Sequence, residues 1–253
     1  MSETILVADR LSQTFGGITA INDLSFGLKR GEIVALIGPN GAGKTTLVNL
    51  MTGVHQPASG RIRFEGVDVT RQRPFEAARR GLARTFQIVQ PFPRMTVLEN
   101  VAAGALFGGQ QSSVPAAMAI AREQLEFTGL AQFSDRPASA LTLAGRKRLE
   151  LAKSMAMGPK VLMLDEVNAG LNASEIDGAL RLIRQIAERG VTILIIEHLM
   201  KVVMSLAQRV LVLHHGQLIA EGSAAEIVRN KKVVEAYLGE KFARRITGET
   251  TGA

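Results

Sequence analysis

Runs of β-branched and aliphatic residues recur along this chain, each stopping at small or polar residues and passing into a helical pattern, the strand and helix alternation that builds a mostly parallel sheet. Four such runs predict strands at 33–37, 83–86, 161–164 and 191–196. Between positions 174 and 189 apolar residues fall at Ile176, Ala179, Leu180, Ile183, Ile186 and Ala187, the spacing of a helix with one buried face. Asn172 with Glu175 three positions on predicts a capping pair, and Gly190 suits the turn that ends the helix. Elsewhere the period changes to two. The stretches 5–28, 61–69, 209–213 and 217–220 alternate like antiparallel strands, the last two around the turn His214-His215-Gly216. From about 91 to 150 the strand signal disappears, and Ala-, Leu- and Gln-containing helical stretches follow, broken at Gly108-Gly109, Pro115 and Pro137. The expected fold class is α/β, with an inserted helical subdomain.

Composition narrows the class. The chain has 253 residues, 46% of them hydrophobic and 21% charged, which argues against disorder and leaves room for a large core. One domain over 1–240 is expected, with core and β subdomain at about 1–90 and 151–235, the helical subdomain at about 91–150, and a tail at 241–253. Thirty Lys and Arg against 23 Asp and Glu give a net charge of +7. Much of that excess is local, with eight arginines (61, 63, 71, 73, 79, 80, 84, 94) against three acids over 61–94. With no Trp and one Tyr for base stacking, this stretch reads as a solvated face, lipid headgroup contact being the alternative, and direct nucleic-acid binding is not expected. No cysteine is present, which removes disulfides and thiolate chemistry. Residues 1–10 lack the basic start and apolar stretch of a secretory signal, and the apolar runs at 101–109 and 191–196 fall short of the roughly 18–20 residues that span a bilayer. A membrane is expected to matter only through a partner.

The strongest chemical signal is Gly38-Pro39-Asn40-Gly41-Ala42-Gly43-Lys44-Thr45, which fits G-x-x-x-x-G-K-[ST] between a predicted strand and a helical segment at 45–51. Glycines let successive backbone N–H groups turn inward around phosphate oxygens, and the following helix points its positive end at the same charge. Lys44 is expected at the β- and γ-phosphates and Thr45 on Mg²⁺. A glycine-rich turn with a surface lysine is the bland alternative, and the strand-loop-helix context disfavours it. The run 161–166 then delivers Asp165 and Glu166 at a strand end, where open α/β sheets bind ligands. Alone these acids read as a solvated loop; beside a phosphate loop, Asp165 is expected to hold Mg²⁺ through water and Glu166 to act as base or orienter for an attacking water. Gln87 and His198 end two further predicted strands, so a parallel sheet brings Lys44, Gln87, Asp165, Glu166 and His198 to one edge. Gln87 is expected to sense metal and water, and His198 to contact the γ-phosphate or hold the water; alone, His198 reads as a helix-capping or partly buried histidine. His55, His214 and His215 read as structural.

Taken together these residues resemble the ATP-binding subunit of an ATP-binding-cassette (ABC) transporter, and the resemblance runs nearly end to end. The resemblance assigns 38–46, including Thr46, to the Walker A nucleotide loop, 161–166 to Walker B, Gln87 to the Q-loop and the metal, His198 to the switch histidine and 169–172 to the D-loop. It places Phe15 against adenine, an ordinary core phenylalanine being the alternative reading. The segment Leu141-Thr142-Leu143-Ala144-Gly145 stands where the family carries L-S-G-G-Q, with Thr142, Ala144 and Gly145 as nucleotide contacts. Leu143, Ala144 and Gly145 depart from that pattern, as does Val167 from the proline that usually follows Walker B. The resemblance implies a P-loop NTPase (RecA-like) core and a Mg-dependent ATPase in which two ATP molecules are sandwiched between two such subunits, identical or paralogous. Within the family, 15–20, 81–87, 95–101 and 235–240 are most similar to ATPases of branched-chain amino-acid importers. That likeness implies permease partners, indirectly a solute-binding protein, and a peripheral place on the cytoplasmic face of the inner membrane. Lipid or lipopolysaccharide export is the alternative within transport, and an ABC-type ATPase acting on nucleic acid the alternative outside it. The absence of N-K-x-D argues against a GTPase, and the 141–145 segment with His198 favours the ABC reading over a small-molecule kinase.

Overall fold

The computed structural model describes residues 3–86, 90–109, 111 and 113–238. In chain order the elements are β1 (Thr4–Phe15), β2 (Ile18–Lys29), β3 (Ile33–Ile37), α1 (Lys44–Met51), β4 (Ser59–Phe64), β5 (Val67–Asp68), α2 (Pro74–Arg80), β6 (Leu82–Arg84), α3 (Val97–Ala103), α4 (Val114–Phe127), α5 (Leu143–Ala156), β7 (Val161–Asp165), α6 (Ala173–Glu188), β8 (Thr192–Ile196), α7 (Met200–Leu206), β9 (Arg209–His214), β10 (Gln217–Gly222), α8 (Ala224–Arg229) and α9 (Lys231–Leu238). A π-helical turn, Gly104–Gly108, extends α3.

Six strands form the main sheet in the order β10-β9-β3-β8-β7-β6. Its pairs are parallel except β10 with β9, which is antiparallel. Strands β3, β7 and β8 are buried at every position. Both faces of a parallel sheet are covered, so such strands read as unbroken apolar runs instead of alternating ones. Val34, Leu36, Met163, Leu194 and Ile196 pack on one side with Leu47, Leu50 and Met51 of α1 and with the second sheet. Ile33, Ala35, Leu162, Leu164, Ile193 and Ile195 pack on the other with Ile183 and Ile186 of α6 and Val202 and Val203 of α7.

The second sheet is antiparallel, β2-β1-β4-β5, with Ala8 facing Phe26 on one side and Ile62 on the other. Its period-two pattern follows from one face lying on the core. Helix α6 begins as expected: Glu175 N–H donates to Asn172 Oδ1 at 3.0 Å and Asn172 N–H to a Glu175 carboxylate oxygen at 2.9 Å. Helices α3, α4 and α5 enclose a third core of Val97, Val101, Ala121, Leu125, Leu149 and Ala152.

Several boundaries differ from the sequence expectation. The strand expected at 83–86 ends at Arg84, whose guanidinium turns toward Asp165, while Phe86 is exposed. Pro115 starts a helix instead of breaking one, because a first-turn residue needs no N–H partner, and Ser113 caps the turn by accepting from the Ala116 N–H. Helix α5 runs through position 150 to Ala156, since Leu149 and Ala152 face the helical core while Leu151 and Met155 face the main sheet. The sequence-expected tail at 241–253 and Gln87 lie outside the described residues. Among the described residues no helix is long and apolar enough to cross a membrane.

Candidate nucleotide site

The loop 38–43 leaves β3 and turns directly into α1, and two glycines make that path possible. A Cβ on Gly38 would stand 2.1 Å from the Leu213 carbonyl oxygen, and one on Gly43, at φ +103°, would stand 2.4 Å from that of Ala20. Only glycine permits such backbone approach. Gly43→Ala is therefore expected to cost roughly 1–3 kcal/mol of stability, lowering the unfolding midpoint in a thermal melt by several degrees, about 2–4 °C or more per kcal/mol lost. Within the turn, the Ala42 N–H donates to Pro39 O at 3.2 Å, and Asn40 and Gly41 are exposed. Gly43 occupies the N-cap of α1, whose first-turn amides have no helical acceptors and face the loop.

Lys44 is buried, and its Nζ donates to Gly38 O at 2.7 Å and Pro39 O at 3.0 Å. The ammonium thus already lies inside the loop. Burial lowers its pKa, and the carboxylates of Glu166 and Asp165 oppose that shift. Thr45 is exposed and Thr46 half-buried on the same first turn.

Asp165 ends β7 almost fully buried, its N–H donating to Thr85 Oγ1 at 3.1 Å. Arg84 Nη2 lies 3.4 Å from Asp165 Oδ2, and Arg84 also donates to Asn49 Oδ1. Arg84 is thus no part of a solvated arginine face. Burial raises the Asp165 pKa, Arg84 opposes this, and Glu166 adds to it. Thr45 and Asp165 line one cavity of about 490 Å³ together with Arg84, Phe86, Gln90, Glu150 and Lys153. A hydroxyl and a carboxylate are hard oxygen donors of the kind Mg²⁺ takes. Among the described residues no group of three or more His, Cys, Asp and Glu forms a metal cage.

Glu166 follows β7 with a left-handed φ of +49°, its N–H donating to Ile196 O at 3.1 Å across to β8. Its carboxylate meets His198 at 2.6 Å (Oε1 to Nε2). The structure therefore brings together Lys44, Asp165, Glu166 and His198 at the C-terminal edge of adjacent strands β3, β7 and β8. Such an edge can hold a polyphosphate, a divalent ion and a proton acceptor together.

Phe15 is 42% exposed at the end of β1, and its ring meets His55 edge-on with centroids 5.3 Å apart. His55, read from sequence as structural, thus props the aromatic assigned to adenine. Thr142 is the N-cap of α5 and accepts the Gly145 N–H at 3.2 Å, while Leu143 is half exposed beside Gly170. Ala144 and Gly145 are half-buried. Among the described residues no hydrogen bond joins 141–145 to 38–45.

Sequence reasoning missed Arg84, Lys147, Asn168 and Glu197 in the surroundings of this site, and Tyr237 of α9, whose phenol faces the Gly38 backbone while burial raises its pKa. Tyr237 was visible only as part of a family-like stretch, and nothing in that stretch tells which loop its side chain reaches.

A family model described as ABC transporter matches residues 21–169, and one described as branched-chain amino acid ATP-binding cassette transporter matches 217–243. The chain is 39% identical to the high-affinity branched-chain amino acid transport ATP-binding protein BraF of Pseudomonas aeruginosa, covering 95% of this chain and 100% of that protein. It is 40% identical to LivG of Salmonella typhimurium, a protein of the same description, with the same coverage. In structure it is similar to the ADP conformation of an ATP-binding cassette of an ABC transporter, with a TM-score of 0.87, 32% identity, and 94% and 100% of the two chains covered.

Proposed function

This chain belongs to the ATP-binding proteins of ABC transporters, and from that premise we propose that it hydrolyses ATP with Mg²⁺ to energise import of branched-chain or other hydrophobic amino acids. The observation that carries the catalytic part is the 2.6 Å contact of Glu166 with His198 beside a lysine already turned into the phosphate loop.

In this reading the loop amides of 38–46 and the Lys44 ammonium bind the β- and γ-phosphates, and Phe15 stacks on the base. Glu166 accepts the proton of the attacking water, and His198 holds that carboxylate and water in line. Thr45, Asp165 and Gln87 would hold Mg²⁺, which supplies neutralisation of phosphate charge when bound. A second subunit contributes its own Thr142, Ala144 and Gly145, whose α5 N-terminus faces outward beside an exposed Leu143. The helices of 91–150 then move with nucleotide state and pass that motion to permease subunits at the cytoplasmic face of the cell membrane, a solute-binding protein delivering the amino acid outside. The relatives named for branched-chain amino acid transport support this solute class over lipid export.

The test is reconstitution of the full chain with its permease partners in vesicles. Leucine, presented on the binding protein, is expected to stimulate ATP hydrolysis several-fold and to accumulate, both effects vanishing with EDTA. Turnover indifferent to leucine and raised by lipid instead would contradict the importer reading.

A further inference from the structure

Behind Glu166 and His198 lies a buried polar cluster that the reading above leaves without a role. Glu197 and Asn168 are 3% and 1% exposed. Asn168 Nδ2 donates to Glu197 Oε1 at 2.6 Å. The backbone N–H groups of Leu199, His198 and Asn168 lie on the side of the same carboxyl group and favour its charged form. A single side chain therefore spans two turns: the one after β7, which carries Glu166, and the one after β8, which carries His198. From a third element, α5, the buried Lys147 donates through Nζ to the Glu166 carbonyl oxygen at 3.2 Å, and its charge faces both Glu197 and Glu166. Burial raises the Glu197 pKa, against the pull of its hydrogen bonds.

The arrangement is costly for mere packing. Asn168 Oδ1 is buried with no hydrogen-bond partner, and an unsatisfied buried acceptor opposes folding, whereas apolar groups of the same shape would spare that cost. What the amide does supply is direction: it fixes one turn against the other at hydrogen-bond precision, in surroundings where polar contacts are strong.

We propose that Asn168 and Glu197 are positioning residues for hydrolysis, forming a buried bracket that holds the Glu166 turn to the His198 turn, with Lys147 fastening the bracket to the first turns of α5. This deepens the ATPase reading and rests on it. The Glu166 carboxylate thus depends for its placement on where α5 sits, and α5 begins at the 141–145 segment.

The test is steady-state ATP hydrolysis by the full chain with Mg²⁺, using N168A, N168D, the double variant N168D/E197Q and E166Q, with thermal melts alongside. A misplaced but intact carboxylate costs rate and not binding, so N168A is expected to lower kcat about ten- to a hundredfold with KM within about twofold. N168D sets two carboxyl groups against each other and is expected to lose at least as much kcat. In the double variant the amide introduced at position 197 can donate to the carboxylate introduced at position 168, which restores the pair with its polarity reversed, and kcat is expected to recover to within about tenfold of the wild type. This rescue keeps the proposal testable if N168A does not fold. Wild-type kcat in N168A, a rise in KM that carries the whole effect, or a folded double variant no faster than N168D would overturn the bracket. If E166Q is inactive while N168A is fully active, the bracket fails and the ATPase reading stands. A wild-type chain without ATP turnover sinks both.

Discussion

Glu166→Gln is expected to lower ATP turnover by about 10²–10⁴-fold while leaving nucleotide affinity close to that of the unaltered chain. Glu166 takes a left-handed φ of +49°, held by its N–H on Ile196 O, and this aims the carboxylate at His198. Glutamine has the same shape and can still accept from the imidazole, so the local geometry survives. What it cannot do is take a proton from water. Binding differs, because a carboxylate near a phosphate chain repels it in the ground state, and neutralising Glu166 removes repulsion without removing a phosphate ligand. The split between retained affinity and lost kcat, read by calorimetry and steady-state kinetics, separates a proton acceptor from a binding group. Near-normal hydrolysis would remove Glu166 from the role.

Lys44→Ala is expected to do the opposite. The ammonium sits on the carbonyl oxygens of Gly38 and Pro39 at 2.7 and 3.0 Å, inside the turn that the phosphates would enter. Exchanging those carbonyls for phosphate oxygens requires little movement and turns neutral acceptors into charged ones. Hydrogen bonds to charged groups contribute about 1.5–3 kcal/mol each, so losing the lysine is expected to weaken ATP binding roughly 10²-fold or more. Folding stability is expected to change much less, since the variant loses two hydrogen bonds but also sheds a charge that burial disfavours. Unchanged affinity by titration calorimetry would contradict the placement of Lys44.

The parts of this fold that were legible in the sequence are those whose signal is local. Strand β3, the glycine turn and α1 are contiguous, so residues 33–51 announce themselves in one window. The same holds for the Asn172–Glu175 cap, whose partners are three residues apart. Strands β7 and β8 were readable because burial on both faces leaves an unbroken apolar run. The strand expected at 83–86 stops two residues early: Phe86 has strand-like chemistry, yet the ladder gives way after Arg84 turns to Asp165.

What stayed hidden is long-range pairing. Arg84 looked like one more surface arginine in a basic stretch, and only the fold brings Asp165, 81 residues later, against it. Asn168 and Glu197 are 29 positions apart on different strand ends, with no periodic relation between them. Lys147 sits in a charged-looking run, Arg146-Lys147-Arg148, and its burial follows from the facing of α5, which a short helix pattern does not specify. His55 gained its place beside Phe15 in the same way. Sequence patterns report which residues are apolar on a repeating face; they do not report which polar group on one loop meets which on another.

In the proposed cycle a phosphate-gripping loop on one chain is completed by the 141–145 segment of another. Sedimentation of Glu166→Gln tests it most directly, because the variant holds ATP without consuming it. With ATP and Mg²⁺ the account predicts a shift from monomer to dimer that is absent with ADP and absent when Lys44 is also replaced. A chain that stays monomeric while saturated with ATP, or dimerises equally without nucleotide, would contradict it.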